Sequence, residues 1–306
     1  MRLIGAMAAL ALAAASLTGC ASSSGGASPL ASYEPHSGPL RVVASVAVWA
    51  NIAQVIGGPL VHATAIISQP NQDPHAYEAT VRDQLHVNQA DLTITNGGDY
   101  DPFFVKLVQR RPTRFAGMNL VLAKHIDQHT PNPNPHLWYD LGYVKELAQV
   151  IGRAEERAMP TEAAASAIRA RTATFTTRLD QLINQQRSLV KRVVGKGALV
   201  TEGFVLRMVR NLALVDVTPA EFRNAVEEDQ DASPATIRLM KNLMSHGRVR
   251  VLILNLQTQG AQTNQLETWA RSHRISVLKL SELLPPHSSY LDWMRTNLNL
   301  IAEAVR

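Results

Sequence analysis

The chain has 306 residues, of which 46% are hydrophobic and 18% charged, and this composition is that of a globular protein rather than a disordered one. Thirty Lys and Arg against 25 Asp and Glu give a net charge of +5 without a long basic run, so a nucleic-acid-binding tail is not expected. The single Cys excludes an internal disulfide framework and a multi-cysteine zinc site, and the mean hydropathy of -0.06 argues against a polytopic membrane protein.

The amino terminus has the pattern of a secretory signal. Arg2 precedes an apolar run from Leu3 to Leu17, which is shorter than the roughly 20 residues that a membrane-spanning helix needs. Residues 17–20 read Leu-Thr-Gly-Cys and resemble a bacterial lipobox. We therefore expect a signal peptide at 1–19, lipidation of Cys20 and a flexible tether over 20–39. The alternative is an ordinary signal peptide with an incidental Cys.

This signal predicts an extracytoplasmic protein that is anchored to the cell membrane. No nucleic acid is expected as a partner in that location. The excess of basic charge instead favours anionic lipid headgroups or the surface of a partner protein.

The rest of the chain alternates short β-branched segments with longer helical patterns, and it does so in two halves. The predicted strands cover residues 41–48, 63–68, 91–95, 119–123, 197–201, 249–255 and 275–280. The predicted helices cover residues 49–57, 100–110, 141–157, 204–212, 233–245, 262–273 and 290–305. This alternation indicates an α/β fold with mainly parallel sheets that are flanked by helices on both faces.

A segment that strongly favours helix connects the two halves. Residues 161–192 contain no Gly or Pro and are rich in Ala, Arg, Leu and Gln. At 1.5 Å per residue, one helix over this segment spans roughly 45 Å. The predicted organisation is an N-terminal lobe at 40–160, a linking helix at 161–192 and a C-terminal lobe at 193–306.

Histidine follows proline more often than the composition predicts, at His36, His75, His136 and His287. His75 and His136 come after strands that end at the same edge of the first sheet, and open α/β sheets bind ligands at that edge. Proline stiffens the backbone before each imidazole, which suits a metal site. His36 and His287 are better explained as exposed loop residues.

The second lobe contributes two acidic side chains at the ends of predicted strands. Glu202 directly follows one strand, and Glu282 comes two residues after another. A buried carboxylate in such a position is costly unless a cation or a hydrogen-bond donor meets it. Two imidazoles and two carboxylates would form a four-ligand site for a divalent transition metal between the lobes. The alternative for each Glu is a favourable charge at a helix N-terminus.

Two further pairs of residues keep two interpretations each. His125 and His129 precede a proline-rich loop and are either auxiliary metal ligands or plain surface residues. Asn255 and Gln257 follow another strand, where they either hydrogen-bond a ligand or partner side chain or form a turn.

Several short segments occur in an order that is specific in combination, namely residues 73–78, 90–97, 134–138, 201–203, 254–258, 281–285 and 290–294. Together with the lipobox and the long helix, they resemble the metal-binding lipoproteins of bacterial zinc and manganese ABC importers, the cluster A-I solute-binding proteins. The resemblance covers nearly the whole mature chain.

This resemblance implies a binding protein rather than an enzyme. Such a protein holds one Zn(II) or Mn(II) ion, with Fe(II) as a further candidate, in a cleft between two lobes and delivers it to an importer permease. The resemblance assigns His75 and His136 as first-lobe ligands and Glu202 and Glu282 as second-lobe ligands. Zinc-type relatives often have His in place of Glu202, and oxygen ligands suit Mn(II) or Fe(II) better than an all-imidazole set. We expect a monomer.

Two other classes of function remain as alternatives. The first is a surface adhesin or scaffold with a vestigial metal site. The second is a secreted metal-dependent hydrolase in which Glu282 acts as general base on a bound water. The sequence contains no His-Glu-x-x-His helix and no Gly-x-Ser-x-Gly elbow that would support the hydrolase.

Overall fold

The computed structural model describes residues 38–69, 72, 74, 76–112, 117–125, 134–228 and 230–306. The predicted signal peptide, the predicted lipidation site Cys20 and the loop residue His36 lie outside these residues. His75 and His129 also lie outside them.

The first half of the described chain forms a four-stranded parallel sheet in the order β2-β1-β3-β4. Its strands are β1 (Leu40–Val46), β2 (Val61–Ile67), β3 (Leu92–Thr95) and β4 (Met118–Val121). Its helices are α1 (Ala47–Gly57), α2 (Val81–Gln89), α3 (Pro102–Gln109) and α4 (Leu141–Arg157). The central strand β1 is buried from residue 42 to residue 46, as expected for a strand with helices on both faces of its sheet.

The second half repeats this architecture, with a second four-stranded parallel sheet in the order β6-β5-β7-β8. Its strands are β5 (Gly197–Val200), β6 (Val215–Asp216), β7 (Val251–Asn255) and β8 (Ser276–Leu280). Its helices are α6 (Leu206–Asn211), α7 (Ala220–Glu227), α8 (Pro234–Ser245), α9 (Ala261–Ser272) and α10 (Tyr290–Ala304). The predicted α/β class with two parallel sheets is therefore confirmed.

The linking helix α5 (Glu162–Val193) has 32 residues and begins after the N-cap Thr161, whose side chain accepts a hydrogen bond from the amide of Ala164 at 3.2 Å. Its apolar face packs against α1, α4 and α10. Lys191 in its last turn is favourable for the helix dipole. Within the described part of the chain, no helix combines the length and apolarity that a bilayer span requires.

The sequence prediction omits three short elements, namely α2, α7 and β6. In α2 only Asp83 and Val87 are buried. The helix therefore lacks the row of apolar residues at helical spacing by which a sequence pattern predicts a helix. Its start depends instead on a capping box, in which Thr80 and Asp83 bond each other's backbone amides at 2.7 and 3.2 Å. The strand β6 has two residues, which is too short for a periodic signal.

Glu155 in α4 carries a fully buried carboxyl group with an accessibility of 0%. Neither of its carboxylate oxygens has a hydrogen-bond partner among the described residues. Burial raises the pKa of Glu155 well above its usual value, and the charge of Arg171 lowers it only in part. Arg171 donates instead to the carbonyl oxygens of Ile56 and Gly57 at the end of α1, at 2.7 and 2.8 Å. The folded protein therefore favours the protonated form of Glu155.

This environment predicts a pH dependence of stability. Because the pKa of Glu155 is higher in the folded chain than in the unfolded chain, the folded chain retains a proton that the unfolded chain loses above about pH 4.5. The stabilisation is complete below that pH and is lost as the pH rises toward the folded-state pKa, with a slope of at most about 1.4 kcal/mol per pH unit. Urea unfolding between about pH 5 and about pH 8 measures it.

A Glu155→Gln variant should remove this part of the slope, because the amide keeps the shape of the protonated acid without its ionisation. The matched control is Glu146→Gln, which changes an exposed Glu of the same helix and should leave the slope unchanged. An unaltered slope in Glu155→Gln would contradict the assignment.

Candidate metal centre

The carboxyl edges of the two sheets face each other, and polar side chains from both halves meet there. His136 comes after β4 in the chain, Glu202 follows β5, and Glu282 follows β8. Their accessibilities are 4%, 2% and 1%, respectively. Three ionisable side chains are therefore buried at one place between the two sheets.

The position of His136 is determined by Asn134, two residues earlier. The Asn134 side-chain oxygen accepts from the His136 backbone amide at 2.9 Å and lies 3.0 Å from His136 Nδ1. The Asn134 side-chain amide donates to the Gly203 carbonyl at 2.5 Å, and Arg207 donates to the Asn134 carbonyl at 2.5 Å. This loop of the first half is therefore bonded to the second half, and the imidazole has a defined orientation.

His136 and Glu282 contact each other directly across the two halves, with Nε2 3.1 Å from Oε1. The same Oε1 accepts a hydrogen bond from the hydroxyl of Tyr100 at 2.7 Å. This contact joins a ring nitrogen of the first half to a carboxylate oxygen of the second, at the position where the two halves meet.

Asn255 connects the two buried carboxylates. Its side-chain amide donates to Oε2 of Glu202 and also to Oε2 of Glu282, the latter at 2.9 Å. The hydroxyl of Thr258 donates to the same Glu202 oxygen at 2.8 Å. These donors offset the cost of burying the two carboxylates.

The two interpretations of Asn255 and Gln257 both hold. Besides bonding the carboxylates, Asn255 accepts from the backbone amide of Gln257 at 3.1 Å, which is turn chemistry. The side chain of Gln257 in turn accepts from the backbone amide of Glu282 at 2.8 Å and donates to the Ser281 hydroxyl at 3.1 Å. Gln257 therefore positions the backbone that carries Glu282.

Aromatic side chains of the first half hold the same backbone from the opposite side. The indole of Trp138 donates to the Glu282 carbonyl at 3.1 Å, and the hydroxyl of Tyr139 donates to the Ser281 carbonyl at 2.6 Å. The hydroxyl of Tyr290 donates to the Trp138 carbonyl at 2.6 Å. Burial raises the pKa of Tyr139 and of Tyr290 well above the usual value, so both hydroxyls remain donors.

A polar cavity of about 600 Å³ opens beside Glu202. Its lining includes the acidic residues Glu227, Glu228 and Asp231. Ala76 also lines this cavity, so the described residue that follows His75 in sequence reaches the same region. The approach to Glu202 is therefore wide and carries negative charge.

The structure brings His136, Glu202 and Glu282 into one hydrogen-bonded group. The fourth expected ligand, His75, lies outside the described residues. Among the residues that the structure does describe, no three His, Cys, Asp or Glu side chains are arranged to hold a metal ion. Within the described chain, His136 contacts Glu282 directly, and Asn255 bridges Glu282 and Glu202.

Two other histidines that the sequence singled out, His125 and His287, are exposed and separate from this group. His125 is exposed at the end of the short 3-10 helix Leu122–His125. His287 is exposed as well, with a backbone φ of 59°. His129 lies outside the described residues.

Sequence reasoning missed Tyr100, which it treats only as the start of a helix. That helix, α3, begins at Pro102. Asp101 instead accepts hydrogen bonds from the amides of Asn96 and Gly97 at 2.7 and 2.9 Å, which folds the residues after β3 into a tight turn. Tyr100 lies in this turn and is 1% exposed. The signal in the sequence was its position in the loop five residues after the end of β3.

We predict that Tyr100→Phe lowers the free energy of unfolding of the metal-free protein by about 2 kcal/mol, because it removes a hydrogen bond to a buried carboxyl group. Urea denaturation measures this change. The matched control is Tyr143→Phe, since the half-buried Tyr143 ring packs under Arg207 through its face rather than through its hydroxyl. Equal losses in the two variants would contradict the role of the Tyr100 hydroxyl.

Comparison with known proteins identifies similar chains. One curated relative, the manganese-binding lipoprotein MntA of Bacillus subtilis (strain 168), is 27% identical over 164 residues, which are 52% of this chain and 51% of the relative. The match therefore spans about half the length of that relative.

Two solved structures share the fold. The periplasmic zinc-binding protein TroA from Treponema pallidum has a TM-score of 0.75 at 15% identity and aligns over 88% of this chain and 99% of its own. A manganese-bound mutant of a periplasmic metal-binding protein from Candidatus Liberibacter asiaticus has a TM-score of 0.72 at 19% identity. It aligns over 87% of this chain and 99% of its own.

A family model described as "ZnuA: Zinc-uptake complex component A periplasmic" matches residues 42–304. This span contains both sheets, the linking helix and all the side chains that meet between the sheets. The chain therefore belongs to the ZnuA family of solute-binding proteins.

Proposed function

We propose that this protein captures one divalent transition metal ion between its two lobes and delivers it to the permease of an ABC importer. The ligands are His75 and His136 from the first lobe and Glu202 and Glu282 from the second. The observation that carries the proposal is the direct contact of His136 with Glu282, because it joins a nitrogen donor of one lobe to an oxygen donor of the other.

The buried group of donors supports this function physically. Two carboxylates within hydrogen-bond reach of one Asn255 amide create a strongly negative site at low exposure, which a cation relieves. The acidic cavity beside Glu202 attracts cations toward this site.

The donor set restricts the chemistry of the cargo. Two imidazoles and two carboxylates suit Mn(II), Fe(II) and Zn(II), and the oxygen donors favour the first two ions relative to an all-nitrogen site. Because Zn(II) binds most such sites more tightly, the ion carried in the cell depends on metal availability as well as on affinity.

The location and the partners follow from the family and the amino terminus. We propose that residues 1–19 are removed, that Cys20 carries the lipid anchor and that the protein works as a monomer outside the cytoplasmic membrane. The lobes at 40–160 and 193–306 then hold the ion on either side of the linking helix. With four protein ligands and no open coordination position, the protein is a carrier rather than an enzyme.

Metal titration of residues 38–306 tests the proposal. We expect one equivalent of Mn(II), Fe(II) or Zn(II) to bind the stripped protein, measured by calorimetry and by metal analysis after desalting. At about 100 times its Kd, an ion that binds only the folded state adds about 2.7 kcal/mol to the free energy of unfolding. Absence of both binding and stabilisation would overturn the proposal and favour the adhesin or scaffold alternative.

Single substitutions test the assigned ligands. We expect His75→Ala, His136→Ala and Glu202→Gln each to abolish most of the metal-dependent rise in melting temperature, because each removes one donor of the set. The matched controls are His62→Ala and Glu221→Gln, which change exposed residues of the two lobes and should leave the rise intact. If both single variants, Glu202→Gln and His75→Ala, kept the full metal-dependent rise in melting temperature, the ligands would be wrongly assigned.

Acid should weaken metal binding. Imidazole binds a metal ion only in its neutral form, so protons compete with the ion for His75 and His136. We therefore expect Kd to rise by at least about tenfold between about pH 7.5 and about pH 5. A competition titration with a chelator at each pH measures it, and a constant Kd would contradict coordination through histidine.

A further inference from the structure

The edge of the second sheet that is farthest from the candidate metal centre concentrates positive charge. We define the basic edge by seven residues that precede β5, β7 and β8: Lys191, Arg192, Lys196, Arg248, Arg250, Arg271 and Arg274. The amino ends of parallel strands lie side by side, and hydrogen bonds join them here. The amide of Arg250 donates to the Gly197 carbonyl at 2.8 Å, and the amide of Ser276 donates to the Arg250 carbonyl at 3.3 Å.

Little negative charge compensates these side chains. The segments 191–197, 246–250 and 271–275 contain no Asp or Glu, and they add His246 and His273. All seven basic side chains are exposed except that of Lys196, which is partly buried and donates to the Val305 carbonyl at 2.6 Å. Arg271 pairs with Glu267 at 2.8 Å.

The two charged side chains at the end of α10 balance each other. The contact of Lys196 with Val305 shows that α10 ends at this edge. The end of α10 brings Glu303 and Arg306, whose side-chain charges are opposite. The positive charge of the basic edge therefore remains largely uncompensated.

The opposite edge of the same sheet is acidic. Glu202 and Glu282 lie there, and Glu227, Glu228 and Asp231 line the neighbouring cavity. The second lobe therefore has its positive and negative charges at opposite edges. This separation of charge turns the basic edge of the lobe, rather than its acidic edge, toward an anionic surface.

The basic edge also lies far from the place where the described chain begins. Residues Gly38, Leu40 and Thr161 line one cavity, so α5 starts beside the amino end of β1. It ends directly before β5, at the basic edge. Its 32 residues span about 48 Å, so the amino edges of the two sheets lie at opposite ends of the molecule.

We propose that the basic edge docks on anionic lipid headgroups of the membrane to which the chain is anchored, an inference that rests on the proposed lipid anchor at Cys20. Docking of the basic edge brings the second lobe down to the membrane surface, at the opposite end of α5 from the tether. Without the second attachment, an upright molecule would carry its second lobe about 45 Å or more above the membrane.

The length of the tether permits this arrangement. The chain from Cys20 to the described residue Gly38 can extend to at most about 60 Å. This reach exceeds the length of α5, so the anchor does not prevent the far end from touching the membrane. Each exposed Lys or Arg near an anionic membrane improves binding about fivefold, so several of them acting together give measurable attachment.

Vesicle binding tests the inference. The protein is residues 38–306 without the anchor, which is a folding unit because the family model spans 42–304 and the solved TroA chain is matched over 99% of its length. Circular dichroism and cooperative melting check that each variant is folded. The probes are vesicles of phosphatidylcholine with about one third phosphatidylglycerol and vesicles of phosphatidylcholine alone. We expect sedimentation with the anionic vesicles only, and loss of this binding at high salt.

A charge-matched pair of variants localises the effect. The triple variant Arg248→Gln, Arg250→Gln, Arg274→Gln should bind anionic vesicles about 100-fold more weakly. The control Arg153→Gln, Arg187→Gln, Arg238→Gln removes three exposed Arg elsewhere and should lose less than about fivefold. Equal losses of vesicle binding in the two triple variants would overturn the inference, and so would a lack of binding by the unmodified protein.

Metal binding measured on the same samples separates the two proposals. A protein that binds metal but not anionic vesicles refutes the membrane docking alone. A protein that binds anionic vesicles through the basic edge but takes up no metal refutes the proposed function alone.

Discussion

The structure depends on the burial of two carboxylates where the ends of two parallel sheets meet. Glu202 and Glu282 are almost inaccessible to water, so each needs donors to replace its lost hydration. The donors come from both halves of the chain: Tyr100 from the first, and Asn255 and Thr258 from the second. This requirement holds the halves together in the metal-free protein.

The two halves are also joined by hydrogen bonds from side chains of the first half to backbone carbonyl groups of the second. Trp138 and Tyr139 bond the carbonyl groups of Glu282 and Ser281, while Gln257 bonds the amide of Glu282 from its own lobe. The segment that carries this carboxylate is therefore fixed on both sides. Together with the uninterrupted helix α5, these bonds favour small adjustments of loops and side chains over a wide hinge motion during binding and release.

The parallel topology also determines how charge is distributed. Because all strands of the second sheet point the same way, their carboxyl ends bring the acidic residues to the cleft and their amino ends bring basic residues to the far edge. The linking helix then sets the distance between the far edge and the first lobe. One arrangement of strands and one long helix thus define both the proposed metal site and the proposed membrane contact.

The sequence by itself determined the two βα patterns, the long helix and three of the polar residues that meet in the structure, because periodicity and strand ends are local properties. It did not reveal α2, because this helix is marked by a capping box and not by a continuous row of buried apolar residues. It did not reveal the role of Tyr100 either, because the hydroxyl bonds Glu282, which lies 182 positions later in the chain. Only the tertiary structure decided that Asn255 bridges two carboxylates and that His136 contacts Glu282, because these bonds depend on how two separately folded sheets face each other.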